Sequence, residues 1–487
     1  MQAKLSQPRG LSIFFLTEMW ERYGFYVVQG LLVLFLSEKF QFSDKQSYAI
    51  LGSYSALVYI SSIIGGYLAD SALGYRHAVI LGGMLLFVGY ASLAYSYDPQ
   101  YFYLSLAFLI MGTGLFKPNV SSMLGTLYNG QDNRRDAGYT IFYVGINIGS
   151  ILATVSSGYV VQYFSWQASF GVAAAVIVIG ITTFTIGTAY FDIRDPRQIQ
   201  YRYSKYLYTY VGIGLLIAFN AFLIQNSNWA LAFFGLVCLA IVFIIGITAY
   251  REEERQRKRL FAYLLLLLIS VVFWAIFFQV FFSLDLFVNR VVSHDFFGFY
   301  IPTPLFISVE SIGVILIGPF LGKIWTALNQ RNLNVSLPAK FTLGMGFVTL
   351  TFALLYYSVI VSPGSHVVMW YWLALAYLAL AIGDLCLSPM GLVMAVELAP
   401  PRLVGMMMGI FFVSLGIGGK LAGILADYAA IPDNVKDIAQ IKLLYQHAFL
   451  TYTAIAFGAT VIALLFTPFI KRLIKREHET MSDMPLL

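Results

Sequence analysis

Apolar residues in this chain run in long unbroken stretches, interrupted by short polar turns. Fourteen stretches reach about 20 residues, the length at which a helix crosses roughly 30 Å of hydrocarbon. They cover 11–37, 47–69, 78–96, 101–125, 139–163, 168–190, 206–225, 229–250, 260–289, 301–328, 338–361, 366–397, 402–430 and 443–470. The runs are continuous, whereas barrel strands alternate over about ten residues, so helices are predicted. The first run is too long for a cleavable leader and carries Glu18, Glu21 and Arg22 inside it, so it reads as a span.

Composition agrees. Of the 487 residues 59% are hydrophobic and 11% charged, and the mean hydropathy is +0.76. Soluble domains carry about 25% charged residues, so no water-facing globule can be built from this chain. Cys238 and Cys386 both sit in apolar runs and offer neither a disulfide framework nor a metal cluster. The net charge of +6 does not point to nucleic acid, because of where the charges fall. With fourteen spans both termini share one side. On that side lie 22 of the 30 lysines and arginines, against 5 in the opposite loops and 3 within spans. Such a bias places the termini in the cytoplasm.

The spans group as six, two and six. Residues 1–190 are expected to form a first six-helix bundle and 259–487 a second with a cytoplasmic tail. Residues 191–258 form a linker with two extra spans, flanked by the charged stretches FDIRDPRQIQYRYSK and REEERQRKR. An even insertion preserves the orientation of the second bundle. The expected fold is therefore an all-α membrane protein of major-facilitator type with 14 transmembrane helices, whose substrate site lies at the midplane between the bundles.

Ionisable side chains at membrane depth cost roughly 2.5–3.5 kcal/mol each on insertion scales, so each one is a candidate site. Glu18, Glu21 and Arg22 are one helical turn apart and share a face. Lys117 lies near the middle of the fourth span, Glu310 in the tenth, Asp384 in the twelfth and Lys420, further out, in the thirteenth. The first half thus offers two cations and two acids, and the second two acids near the same depth. A zwitterion bridging the halves would direct its carboxylate to Arg22 and Lys117 and its ammonium to Asp384 or Glu310. The competing reading is that these charges pair only to lock helices together. Glu397 and Asp285, near helix ends, read as interfacial side chains that snorkel to water. Glu21 beside Arg22 and Lys117 suggests proton coupling. A substrate carboxylate that takes those cations leaves Glu21 desolvated and favours its protonation, so substrate and proton bind cooperatively.

Several segments match a known family. EMWERYGFY at 18–26 resembles the helix 1 motif E-x-x-E-R-F-x-Y-Y of proton-dependent oligopeptide transporters. GGYLADSALGYR at 65–76 and FYVGINIGS at 142–150 are similar to the family's two signatures. GTGLFKPNVSSMLG at 112–125, FWAIFFQ at 273–279 and GDLCLSPMGL at 383–392 resemble its motifs of helices 4, 7 and 10. Their joint occurrence in order is specific.

The resemblance implies import of di- and tripeptides with protons, in a bacterial inner membrane, by a monomer that needs no cofactor. Arg22 and Lys117 would receive the peptide carboxyl end, and Glu18 and Glu21 would handle the proton and the gating salt bridges. Tyr26 and Tyr59 would line the pocket, Asn147 would bond the peptide backbone, and Gln279 and Ser388 would complete the substrate set. Asp384 stands where the family has a glutamate for the amino end, one methylene longer. Phe278 replaces a helix 7 glutamate, and Glu310 an asparagine, so Glu310 would supply the acid that Phe278 lacks and favour cationic peptides. Tyr23 and Phe25 exchange the motif's ring types, Phe411 replaces a tryptophan and Lys420 an uncharged residue. A membrane enzyme is disfavoured: the five histidines are scattered over loops and ends without metal spacing. The alternative within the family is a carrier of nitrate or another small anion, which has less use for Glu310 and Asp384.

Overall fold

A computed structural model describes residues 6–474 apart from 97, 129–131, 133, 197–202, 332, 334 and 365–366. Lys4, Arg197, Arg202, Lys475 and Arg476, counted above for orientation, and His366 and His478 lie outside the described residues.

The first six spans are α1 (Leu11–Glu38), α2 (Asp44–Leu68), α3 (Tyr75–Ala94), α4 (Pro99–Gly125), α5 (Arg135–Tyr163) and α6 (Trp166–Tyr190). The inserted pair is α7 (Tyr203–Gln225) and α8 (Ser227–Arg251). The last six spans comprise α9 (Glu254–Phe277) continued by α10 (Ser283–Val291), then α11 (Thr303–Gln330), α12 (Leu337–Ile360), α13 (Trp370–Leu398), α14 (Val404–Ala426) and α15 (Ile438–Ile474). Thirteen helical segments among the described residues meet the length and hydropathy of a membrane span. The 28-residue α1, which carries Glu18, Glu21 and Arg22, makes the fourteenth.

Local chemistry explains the boundaries. Ser43 and Gln46 close a capping box at the start of α2. Asp98 caps α4 ahead of a proline at its first position, where the missing N–H costs nothing. The ninth span was expected to be one continuous helix over 260–289. It is broken instead by a 3₁₀ turn, Phe278–Phe281, with Phe282 outside helical geometry. Between α10 and α11 the chain forms a hairpin of two-residue strands, Asp295–Phe296 and Phe299–Tyr300, and a parallel bridge pairs Val292 with Val368. Phe297 and Gly298 turn the hairpin with φ of 51° and 87°, the left-handed geometry that hairpin turns require.

Helix α1 packs against α5 and α6, α3 against α4 and α6, and α2 against α4. In the second set α12 packs against α13 and α15, and α11 against α13. The inserted α7 lies on α4 and α2, and α8 on α9. Two crossings join the sets: α2 with α14, and α5 with α11. At the first, Gly416, Gly419 and Gly423 on α14 bring the backbones together. A Cβ on Gly423 would sit 2.7 Å from the Tyr48 carbonyl oxygen. Small residues are what allow such an approach between helices in lipid, where dispersion contacts replace the hydrophobic effect.

Candidate functional site

The site is built around Arg22, near the middle of α1. Its Nε and Nη2 donate to the two carboxylate oxygens of Glu21 at 2.5 and 2.6 Å, a two-pronged ion pair between sequence neighbours. Glu18, one turn earlier, lies 3.5 Å from the Arg22 Nε. The Arg22 guanidinium also sits over the Phe25 ring, 4.3 Å from its centroid, a contact with an aromatic face that favours a cation. All three charged side chains are almost fully buried, with Glu18 and Glu21 at 0% and Arg22 at 2% exposure. Both Glu18 oxygens lack a hydrogen-bond donor. Lys117 on α4 interacts electrostatically with Glu18, Glu21 and Arg22, and its ammonium lies 5.8 Å from the Tyr59 ring centroid. The four charges expected together from the first half are therefore brought together.

The second half supplies Glu310 on α11 and Asp384 on α13, which interact with each other. Asp384 accepts a hydrogen bond from Ser388 Oγ one turn on. Glu310 accepts at 3.1 Å from Ser311 Oγ, and Ser311 meets Ser150 of α5 at 3.0 Å. Glu310 is thus tied to the α5–α11 crossing. The phenol of Tyr26 interacts electrostatically with Arg22 and with both Glu310 and Asp384. Tyr59 interacts with Arg22 and Asp384, and its ring lies 6.2 Å from that of Phe278.

Two expected positions are already committed elsewhere. Gln279 is fully buried; its amide donates to the carbonyls of Ala275 and Ala422 and accepts from Ser283 Oγ, tying the helix break to α14. Asn147 donates to the Tyr143 carbonyl in its own helix. Lys420 stands apart from the site: it donates at 2.9 Å to Ser53 Oγ across the α2–α14 crossing, and its ammonium lies 6.0 Å from the Phe234 ring on α8. Glu397 is exposed, as an interfacial residue should be. Asp285 is not: the expectation of a snorkelling side chain fails, because it is 1% exposed with neither carboxylate oxygen hydrogen-bonded.

The sequence reading missed a ring of tyrosines. Tyr143 interacts with Tyr26, Glu310 and Asp384. Tyr54 and Tyr90 both interact with Glu21 and Arg22. Tyr90 reaches α1 because residue 24 is glycine; a Cβ there would lie 2.7 Å from its hydroxyl. Tyr143 sits one turn before Asn147, a spacing that could have found it. Nothing local marks Tyr54 or Tyr90 among 33 tyrosines.

At the end of the bundle away from the termini the two sets are clasped. Arg290 at the end of α10 donates two 2.7 Å bonds to Asp44 at the start of α2. Asp44 also accepts from the Ile431 amide, and Asn289 donates to Glu38.

Two helical sets with facing charges across a midplane define a membrane carrier of the major-facilitator fold. Comparison with known proteins gives the particular kind. Residues 76–444 match the model of the POT family, and the chain belongs to that family. It is 31% identical over 483 residues to a dipeptide and tripeptide permease A of Cronobacter turicensis, covering 98% of this chain and 96% of the relative. The permease A of Escherichia coli K12 is 30% identical, with 96% and 93% covered. A crystal structure of a peptide transporter in complex with sulfate superposes with a TM-score of 0.83 at 30% identity, covering 98% of this chain and 97% of that one.

Proposed function

We propose that this chain is a proton-coupled symporter that imports di- and tripeptides by alternating access. One observation carries the reading: the first helical set holds the buried Arg22–Glu21 ion pair, the second the acids Glu310 and Asp384, and Tyr26 interacts electrostatically with Arg22 and with both of those acids. Opposite charges on opposing walls suit a short zwitterion. The named activity of the relatives supports a peptide over nitrate or another small anion, as does the pair of acids, which an anion would not meet favourably.

In this reading the peptide carboxylate competes with Glu21 for Arg22, because the guanidinium fork fits either carboxylate equally. Glu21, once released, is a buried carboxylate without its partner and takes up a proton. Peptide and proton then bind cooperatively. The peptide ammonium is held by Asp384 or Glu310, and Ser388 orients Asp384. Lys117 completes the cationic wall, Tyr26 and Tyr59 line the pocket with Tyr143, and Glu18 exchanges its contact with Arg22 during gating. Asn147 offers its amide to the peptide backbone. Opening requires release of the clasp between Asp44 and Arg290.

The organisation proposed is a first bundle over 1–190, a linker with two extra spans over 191–258 and a second bundle over 259–487. The basic loops support cytoplasmic termini in a bacterial inner membrane. The transport unit proposed is a monomer, although a solved relative of 26% identity and TM-score 0.84 is described as tetrameric.

The test is uptake of a labelled dipeptide into proteoliposomes with an acid exterior. Accumulation above the outside concentration, abolished by a protonophore, is expected; uptake of nitrate without dipeptide would overturn the reading.

A further inference from the structure

Asp285 is the buried acid that the site leaves unused. It lies on α10, just beyond the break that follows Phe278, and is 1% exposed with both carboxylate oxygens unpartnered. An ionised carboxylate there would lose its water with no donor in exchange, at a cost of several kcal/mol. The group is therefore held as the neutral acid. Two titratable side chains are coupled to it. Glu38 at the end of α1, exposed at the rim, accepts at 2.9 Å from Asn289, one turn beyond Asp285 on α10, and interacts electrostatically with Asp285. Tyr377 of α13 is fully buried with an unpartnered hydroxyl. Tyr377 interacts with both Asp285 and Glu310. It also lies seven residues before Asp384, two turns along the same helix face and so about 10 Å away along the axis.

Other titratable groups lie around α10, among them the buried phenols of Tyr48 and Tyr445, whose hydroxyls are unpartnered. Arg290 on the same helix binds Asp44. His294 on the following loop has its ring nitrogens on the carbonyls of Ile301 and Val288. Tyr445 of α15 interacts with Arg290 and Asp44.

We propose that Asp285 is a second proton-carrying residue, linking the rim carboxylate Glu38 through the Tyr377 phenol to the Glu310–Asp384 pair. Asp285 gives its proton to the Tyr377 oxygen while the phenol passes its own hydroxyl proton to an ionised Glu310. The Asp285 carboxylate left behind is then reprotonated from Glu38, so each hand-over moves one proton and leaves the phenol neutral. No direct hydrogen bond joins these groups among the described residues, so each transfer proceeds after a side-chain swing or through an intervening water. The route starts on α1, beyond Glu21, and ends on the second helical set. It lies where this chain carries phenylalanine at 278 and an acid two turns later.

The proposal rests on the transport reading, and the experiment separates them. Wild type, Asp285→Asn, Asp285→Glu and Tyr377→Phe are reconstituted with a trapped pH dye, and protons per labelled dialanine are measured beside counterflow with no gradient. The expected result is a fall of roughly tenfold or more in gradient-driven accumulation for Asp285→Asn, with counterflow kept within about twofold. Asp285→Glu should restore coupling, and Tyr377→Phe should slow driven uptake without changing counterflow. Accumulation by Asp285→Asn equal to wild type overturns the proposal. Loss of counterflow together with uptake also overturns it, because the residue is then structural. Failure of the wild type to take up dipeptide defeats the transport reading itself.

Discussion

Arg290 and Asp44, 246 residues apart in the chain, face each other through two parallel 2.7 Å hydrogen bonds across the two helical sets. The Asp44 side chain is 4% exposed and that of Arg290 24%, so the pair is partly shielded from water. Hydrogen bonds to charged groups contribute about 1.5–3 kcal/mol. Arg290→Ala should therefore open that end, lengthening the distance between spin labels at the exposed positions Gln41 and Asp433. An unchanged distance distribution would show that the clasp is not what closes it.

Arg22 holds Glu21 with two prongs, a geometry that lysine cannot reproduce. Arg22→Lys should retain the charge yet lose roughly tenfold or more in peptide affinity. Competition binding with dialanine checks this; equal affinity would mean that only charge at this position matters.

Glu21→Gln should remove gradient-driven accumulation far more severely than counterflow exchange, since the amide still accepts a bond from Arg22 but carries no proton. Accumulation at the wild-type level in this variant would end the role given to Glu21.

Glu310 and Asp384 are two acids within electrostatic reach of each other, and a peptide amino end neutralises only one of them. Lysyl dipeptides should compete better than glutamyl dipeptides, and Glu310→Gln should narrow that difference by about a factor of ten, the worth of one well-placed charge pair of roughly 1.4 kcal/mol. A preference for the glutamyl peptide would contradict the assignment.

Gly423→Val should disrupt the crossing of α2 and α14, because its Cβ would fall 2.7 Å from the Tyr48 carbonyl oxygen and backbone cannot yield as a flexible side chain can. Overpacking costs about 1–3 kcal/mol, enough for a visible drop in melting temperature in detergent. A melting temperature equal to wild type would show that the helices can separate freely there.

Much of this was readable along the chain. Continuous apolar runs must become helices in lipid, since nothing else there satisfies the backbone. The fourteen spans therefore follow from composition and length alone. The same holds for Glu18, Glu21, Arg22, Lys117, Glu310 and Asp384: a charge inside such a run announces itself by its cost. The break at Phe278–Phe281 gave no warning, because FFQVFFS contains neither glycine nor proline.

Partnership is another matter. Helical spacing put Glu18, Glu21 and Arg22 on one face, yet could not tell that Arg22 meets Glu21 at 2.5 Å and Glu18 at 3.5 Å. Asp285 looked like any charge near a helix end, and Gln279 like a pocket amide. One is sealed without a partner, and the other is fully bonded within the wall. Length, hydropathy and the position of charges belong to the chain itself, because the bilayer acts on each segment as it stands. Which charges meet, which are sealed and which remain free depends on helices far apart in sequence crossing at a few glycines, and only their packing sets those distances.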